Sequence, residues 1–202
     1  MKLRTLALAP ALTLGLVVSA SMPAAADPIP LNEISRYLNS QKTVAADFTQ
    51  VNPNGKTTAG KVYIHRPGRV RFEYTGDNTL VLASGGQVAI FDKKSNTGAQ
   101  QYPLSRTPLN LILADNINLG RAKMVTGYSE RKNTTVVRAQ DPAHPEYGNI
   151  EMVFTANPTQ LRQWVVTDDA GKKTTVILGA TQTGVTLKPS AFSIQNEIAR
   201  RK

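Results

Sequence analysis

The chain has 202 residues, with 24 lysines and arginines against 14 aspartates and glutamates and a formal net charge of +10 at pH 7. That length fits one ordinary domain plus a short appendage, and the absence of cysteine excludes disulfides, thiolate metal sites and a cysteine nucleophile. The basic residues are spread along the chain without a long like-charge run, which reads as a solvated surface and not as a nucleic-acid partner.

Lys2 and Arg4 precede the apolar stretch LALAPALTLGLVVSA, and small residues follow at Ala24-Ala25-Ala26. A basic start, an apolar run and an Ala-x-Ala site predict a secretory signal peptide over residues 1–26, removed after Ala26, which leaves 27–202 as one domain. Pro10 and Gly15 interrupt a run already short of the roughly 20 residues that span a bilayer. The longest later apolar run, Leu111 to Ala114, is far too short to do so.

LNEISRYL places Leu31, Ile34 and Leu38 on one stripe widened by Tyr37, which predicts a short amphipathic helix ended by Asn39-Ser40. From Val44 the apolar period becomes two. VAADFTQV is a strand, followed by a turn at Asn52-Pro53-Asn54-Gly55. TAGKVYIH, an Arg66-Pro67-Gly68 turn and RVRFEY then form a hairpin. Within it Val70, Phe72 and Tyr74 share one face, while Arg69, Arg71 and Glu73 share the other, read as solvated. NTLVLA and QVAIFD flank Ser84-Gly85-Gly86, another hairpin signal. SRTPLNLILAD breaks the rhythm, with Thr107 placed to cap a helix, Pro108 at its first position and Leu109, Ile112 and Leu113 on one side. NIEMVFTA, QLRQWVVTD and TTVILGATQ resume the alternation. The expectation is a mainly β fold: an antiparallel meander of roughly ten strands with two short helices, curling on itself.

Catalytic chemistry finds little purchase. The two histidines are His65, beside the Pro-Gly turn, and His144, in the loop DPAHPEYG. His144 lies near Asp141 and Glu146, but a proline-flanked surface loop explains these residues equally well. Neither histidine has the spacing of a metal ligand set. Asp168-Asp169 precede Ala170-Gly171 and read as turn residues. No catalytic residue, metal or cofactor is assigned. The sequence favours binding by an apolar interior.

In the order ADFTQ, GKVYIHRPGRVRFEY, LVLASGGQVAIFD and RTPLNLIL, behind an export signal, the chain resembles the LolA family of periplasmic outer-membrane lipoprotein carriers. The resemblance implies a half-open antiparallel β-barrel closed by an α-helical lid. It implies acylated lipoproteins as cargo, an inner-membrane ABC transporter that releases them and a LolB-like outer-membrane acceptor. The protein is then a periplasmic monomer without nucleic acid. Arg66 matches the family arginine that latches the lid through hydrogen bonds to the lid helices, and Pro67 is the turn proline behind it. Arg69 and Arg71 receive no such role. Candidates for the cavity, from alternation, are Val62, Ile64, Val70, Phe72, Leu80, Leu82, Val88 and Ile90 on the strands. Leu38, Leu109, Ile112 and Leu113 are candidates from the lid. For each, ordinary core packing is an equal reading. Ala89 stands where the family commonly has tryptophan, and His65 where it has lysine. The same half-barrel also suits a periplasmic lipid or lipoprotein sensor, or a carrier of another lipid. A hydrolase built on the histidines and a basic polyanion binder stand further off.

Overall fold

The computed structural model describes residues 27–76, 78–92, 98–121 and 123–201; the signal peptide expected over 1–26 lies outside them. Helix α1 (Leu31–Ser40) leads into strands β1 (Thr43–Val51), β2 (Thr57–His65), β3 (Arg69–Tyr74), β4 (Leu80–Ser84), β5 (Gln87–Phe91) and β6 (Gln100–Pro103). A 3-10 turn (Leu104–Arg106) and α2 (Leu109–Leu113) follow. Then come β7 (Val125–Arg131), β8 (Thr134–Gln140), β9 (Asn149–Thr155), β10 (Gln160–Thr167), β11 (Lys173–Thr183) and, after a second short turn, α3 (Ile194–Arg200).

Among the described residues the strands form one antiparallel sheet of eleven, in the order β6-β5-β4-β3-β2-β1-β11-β10-β9-β8-β7. Strand β1 joins the halves, pairing with β2 on one side and β11 on the other. The sheet does not close: β6 and β7 are its edges. These edges are consecutive in the chain, so the segment between them has to travel from one side of the sheet to the other. That segment carries α2. Topology alone therefore lays α2 across one face.

The covered face is apolar. Phe48, Val62, Val70, Phe72, Phe154, Trp164, Ile34, Leu38, Ile112 and Leu113 belong to one buried cluster drawn from both halves of the sheet and from both lid helices. One cluster fed from strands so far apart in the order requires the sheet to bend around it. Edge-to-face contacts knit it together: Phe48 against Phe72 at 5.4 Å, Phe72 against Trp164 at 6.3 Å and Tyr37 against Phe154 at 6.1 Å. Each such aromatic pair adds about 0.5–1.5 kcal/mol beyond burial.

The outer face of β3–β5 is covered too. Leu80, Leu82, Ala89 and Phe91 pack with Phe192, and Ile194 and Ile198 of α3 lean on them. The register puts Leu80 opposite Glu73 and Leu82 opposite Arg71. Both leucines therefore lie on the face away from Val70 and Phe72, which corrects their assignment to the cavity. Strand β4 is buried on both faces, so its alternation carries no sign of which side is inside. The reading of Arg71 as solvated changes for the same reason: its side chain is 11% exposed and ion-paired to Glu197 on α3.

Candidate functional site

The site forms where the β2–β3 turn meets the ends of α1 and α2. Pro67, after a cis peptide bond, occupies the turn, and Gly68 N–H donates to the Leu113 carbonyl at 2.8 Å. Arg66 is 5% exposed. Its backbone N–H donates to Lys42 O at 2.9 Å, which fixes the strand end from which the side chain departs. The guanidinium donates to Leu38 O in the last turn of α1. It also donates to Ala114 O just past α2, from Nε at 3.1 Å and Nη2 at 2.6 Å, and to Asp115 O at 3.3 Å. A further bond from Nη2 reaches Asn39 Oδ1 at 3.2 Å.

This geometry follows from helix chemistry. The last carbonyls of a helix lack intrahelical donors, and a planar fork of five N–H groups satisfies several of them at once. Burial lowers the Arg66 pKa, partly offset by the nearby Asp115 carboxylate; arginine keeps its proton regardless. Two helix termini thus converge on one buried cation supplied by the sheet.

Opposite this junction α1 is tied to the other half of the sheet. Ile29 N–H donates to Thr135 Oγ1 at 2.8 Å, Thr159 Oγ1 donates to Glu33 at 2.6 Å and Leu161 N–H donates to Tyr37 Oη at 3.1 Å. Under α1 lies a pocket of 40 Å³ whose walls include Leu38, Val44, Ile64, Ile112, Leu161 and Leu178, with Gln41 and Arg66 at its polar side. The Gln41 Oε1 atom is buried there without a hydrogen-bond partner.

The structure gathers most of the sequence-derived residues onto this face. Leu38, Ile64 and Ile112 line the pocket, while Val62, Val70, Phe72, Val88 and Leu113 are packed into the cluster around it and Leu109 rests against them. Ile90 shares the face of Val88, opposite Val81, and is half-buried. Leu80 and Leu82 are elsewhere, as described above. His65 turns outward to Phe192, ring centroids 5.7 Å apart. His144 lies in an exposed loop, its Nδ1 3.0 Å from Glu146 and its ring stacked on Tyr147. Asn39, read from sequence only as a helix stop, takes part in the junction; its place before Ser40 carries no signal of that.

A larger cavity, 790 Å³, lies on the outer face between β4–β5 and α3. Its arginines Arg71, Arg200 and Arg201 are already engaged by Glu197, so it borders an ion-pair network. Among the described residues no helix is long and apolar enough to cross a membrane.

The chain is 25% identical to an outer-membrane lipoprotein carrier protein of Methylococcus capsulatus, over 83% of this chain and 84% of that one. It is 26% identical to one of Chromobacterium violaceum, over 87% and 88%. Among solved structures it is similar to a LolA superfamily protein from Nitrosomonas europaea, at 8% identity and a TM-score of 0.46 over 83% of this chain and 99% of that one. The family profile described as outer membrane lipoprotein carrier protein LolA matches residues 39–195, so the chain belongs to the LolA family of lipoprotein carriers.

Proposed function

We propose that this protein is exported, loses residues 1–26, and in the periplasm binds the acyl chains of lipoproteins released by an inner-membrane transporter. It then hands them to a LolB-like acceptor at the outer membrane. The observation that carries this reading is the Arg66 junction: a buried cation at the end of a sheet strand holds the ends of both helices that cover the apolar face. Burying about a dozen methylenes stabilises by about 10 kcal/mol, so cargo held without competition would not leave. A lid that occupies the same apolar surface offsets part of that gain. Charge-assisted hydrogen bonds of about 1.5–3 kcal/mol each make a latch strong enough to close and weak enough to open.

The test is release of lipoproteins from spheroplasts into a soluble complex with the mature protein. Wild type should accumulate the complex and pass cargo to outer-membrane vesicles. Arg66→Leu should load and transfer poorly, because the lid no longer competes. Normal transfer by Arg66→Leu would overturn the latch. Absence of any soluble lipoprotein complex, with acyl lipid still extractable from the protein, would replace the carrier reading with a lipid sensor or a carrier of another lipid.

A further inference from the structure

The segment after α2 has no strand to pair with, yet its backbone is not left bare. Asn39 Nδ2 donates to Ile117 O at 2.8 Å while Ile117 N–H donates to Asn39 Oδ1 at 2.9 Å. This two-way pair with the N–H and C=O of one residue fixes which side-chain atom is oxygen and which nitrogen. The same Oδ1 accepts from Arg66 Nη2 at 3.2 Å, and the same Nδ2 donates to Asn116 Oδ1 at 3.3 Å. One helical turn earlier, Ser35 Oγ accepts from Leu119 N–H at 3.0 Å. Side chains four apart on a helix face the same way, so Ser35 and Asn39 form a rail along which 117–119 runs. Ile117 and Leu119 between these anchors are 4% and 3% exposed, inside the main apolar cluster.

Two arrangements are compatible with a latch arginine that touches both helices. In one, α1 and the α2 segment are separate flaps, each held only by Arg66. In the other, they are joined to each other and the arginine holds the joined piece. The hydrogen bonds between α1 and 117–119 do not involve Arg66, which favours the second. We infer that Asn39 is a positioning residue that welds α1 to the α2–β7 segment, so that the lid moves as one body and Arg66 bolts that body to the barrel. This rests on the carrier reading for its purpose, but its geometry can be tested without cargo.

The chain has no cysteine, so single labels can be placed cleanly. Spin labels at Arg36 on α1 and Asn118 on the loop report the distance within the lid; labels at Arg36 and Lys61 report lid to barrel. In Arg66→Leu the lid-to-barrel distances should broaden while the Arg36–Asn118 distance stays narrow. In Asn39→Ala, with Arg66 intact, the Arg36–Asn118 distance should broaden, and affinity for a fluorescent apolar probe such as bis-ANS should rise about tenfold, as expected for loss of a small set of hydrogen bonds. Asn39→Asp keeps the acceptor for Ile117 N–H and Arg66 but sets an oxygen against Ile117 O where Nδ2 donated, so its distance should be broader than in wild type and narrower at pH values low enough to protonate the new carboxyl, a dependence that a merely destabilised helix would not show. Broadening of Arg36–Asn118 in Arg66→Leu would overturn the inference, as would an Arg36–Asn118 distance in Asn39→Ala as narrow as in wild type. Failure of the carrier reading shows up separately, as wild-type protein that collects no lipoprotein from spheroplasts while these distances behave as stated.

Discussion

Glu197 places a carboxylate that is 5% exposed among three arginines, with Arg200 Nη2 and Arg201 Nε at 2.7 Å and Arg71 Nη1 at 3.2 Å. Burial alone would raise its pKa, but hydrogen bonds from Arg200, Arg201 and Arg71 outweigh it and hold the group at about 2. A folded pKa below the unfolded value of 4.5 means that the group contributes stability above pH 4.5, lost as pH falls toward 2. Breaking a buried pair from one side costs about 3–5 kcal/mol. Glu197→Gln should therefore be destabilised at pH 7 in urea titrations and should lose less additional stability than wild type between pH 4.5 and 2. Parallel losses in the two proteins would mean that the ion pairs do not hold α3. His65 differs in charge, since its protonated form is the cation, but follows the same sign in pH. Its pKa is lowered, first by burial and then by Arg69, and its Nδ1 is buried without a partner. Protonation therefore favours the unfolded chain, and stability should fall as pH drops through and below 6.5. A His65→Gln protein with the same slope between pH 7 and 5 as wild type would refute this.

The helix that carries Glu197 shows how a short element is specified. Ser193 accepts from Asn196 N–H at 3.2 Å as its N-cap, and Ile194 and Ile198 face Leu80, Leu82 and Phe91. Removing such a cap typically costs about 1 kcal/mol, so Ser193→Ala should lower the urea midpoint modestly without altering the lid-to-barrel distances; an unchanged midpoint would show that Ile198 and Glu197 suffice. In sequence this helix is two isoleucines and a serine, too short to announce itself. Strands with one buried face were legible: RVRFEY is β3 to the residue, and NIEMVFT alternates throughout β9. The β7–β8 hairpin was not, because β7 is a largely exposed edge strand. Its tight turn uses Lys132 and Asn133, both at positive φ, in place of the Asn-Gly signature that marks such turns. The site divides along the same line. Arg66 became visible through family resemblance, whereas Asn39 acts across 78 residues of sequence, a separation that no local pattern encodes.

For the molecule as a whole, the helices that cover the apolar face set the condition under which the proposed loading would occur. The pocket beneath α1 is 40 Å³, far below the roughly 300 Å³ at which ordinary ligand sites begin. Ile34, Leu38, Ile112, Leu113, Ile117 and Leu119 of the lid already occupy the apolar face. On the proposed carrier reading, an acyl chain would compete with the lid for that one surface, and loading would exchange lid contacts for acyl contacts. Lys42, at the head of β1, and Asp115, just past α2, face each other with Nζ and Oδ1 3.6 Å apart, and both are exposed. Paired Lys42→Cys and Asp115→Cys substitutions, joined by a short reducible thiol crosslinker, would hold lid and barrel together without touching Arg66. The linked protein should collect almost no lipoprotein from spheroplasts, and reduction of the linker should restore collection to the level of the unlinked double variant. Trp164, the single tryptophan and part of the buried cluster, should change its emission on loading only when the link is cut. Equal loading by linked and reduced protein would mean that acyl chains reach the sheet without the lid leaving it, and the competition between lid and cargo would then have to be abandoned.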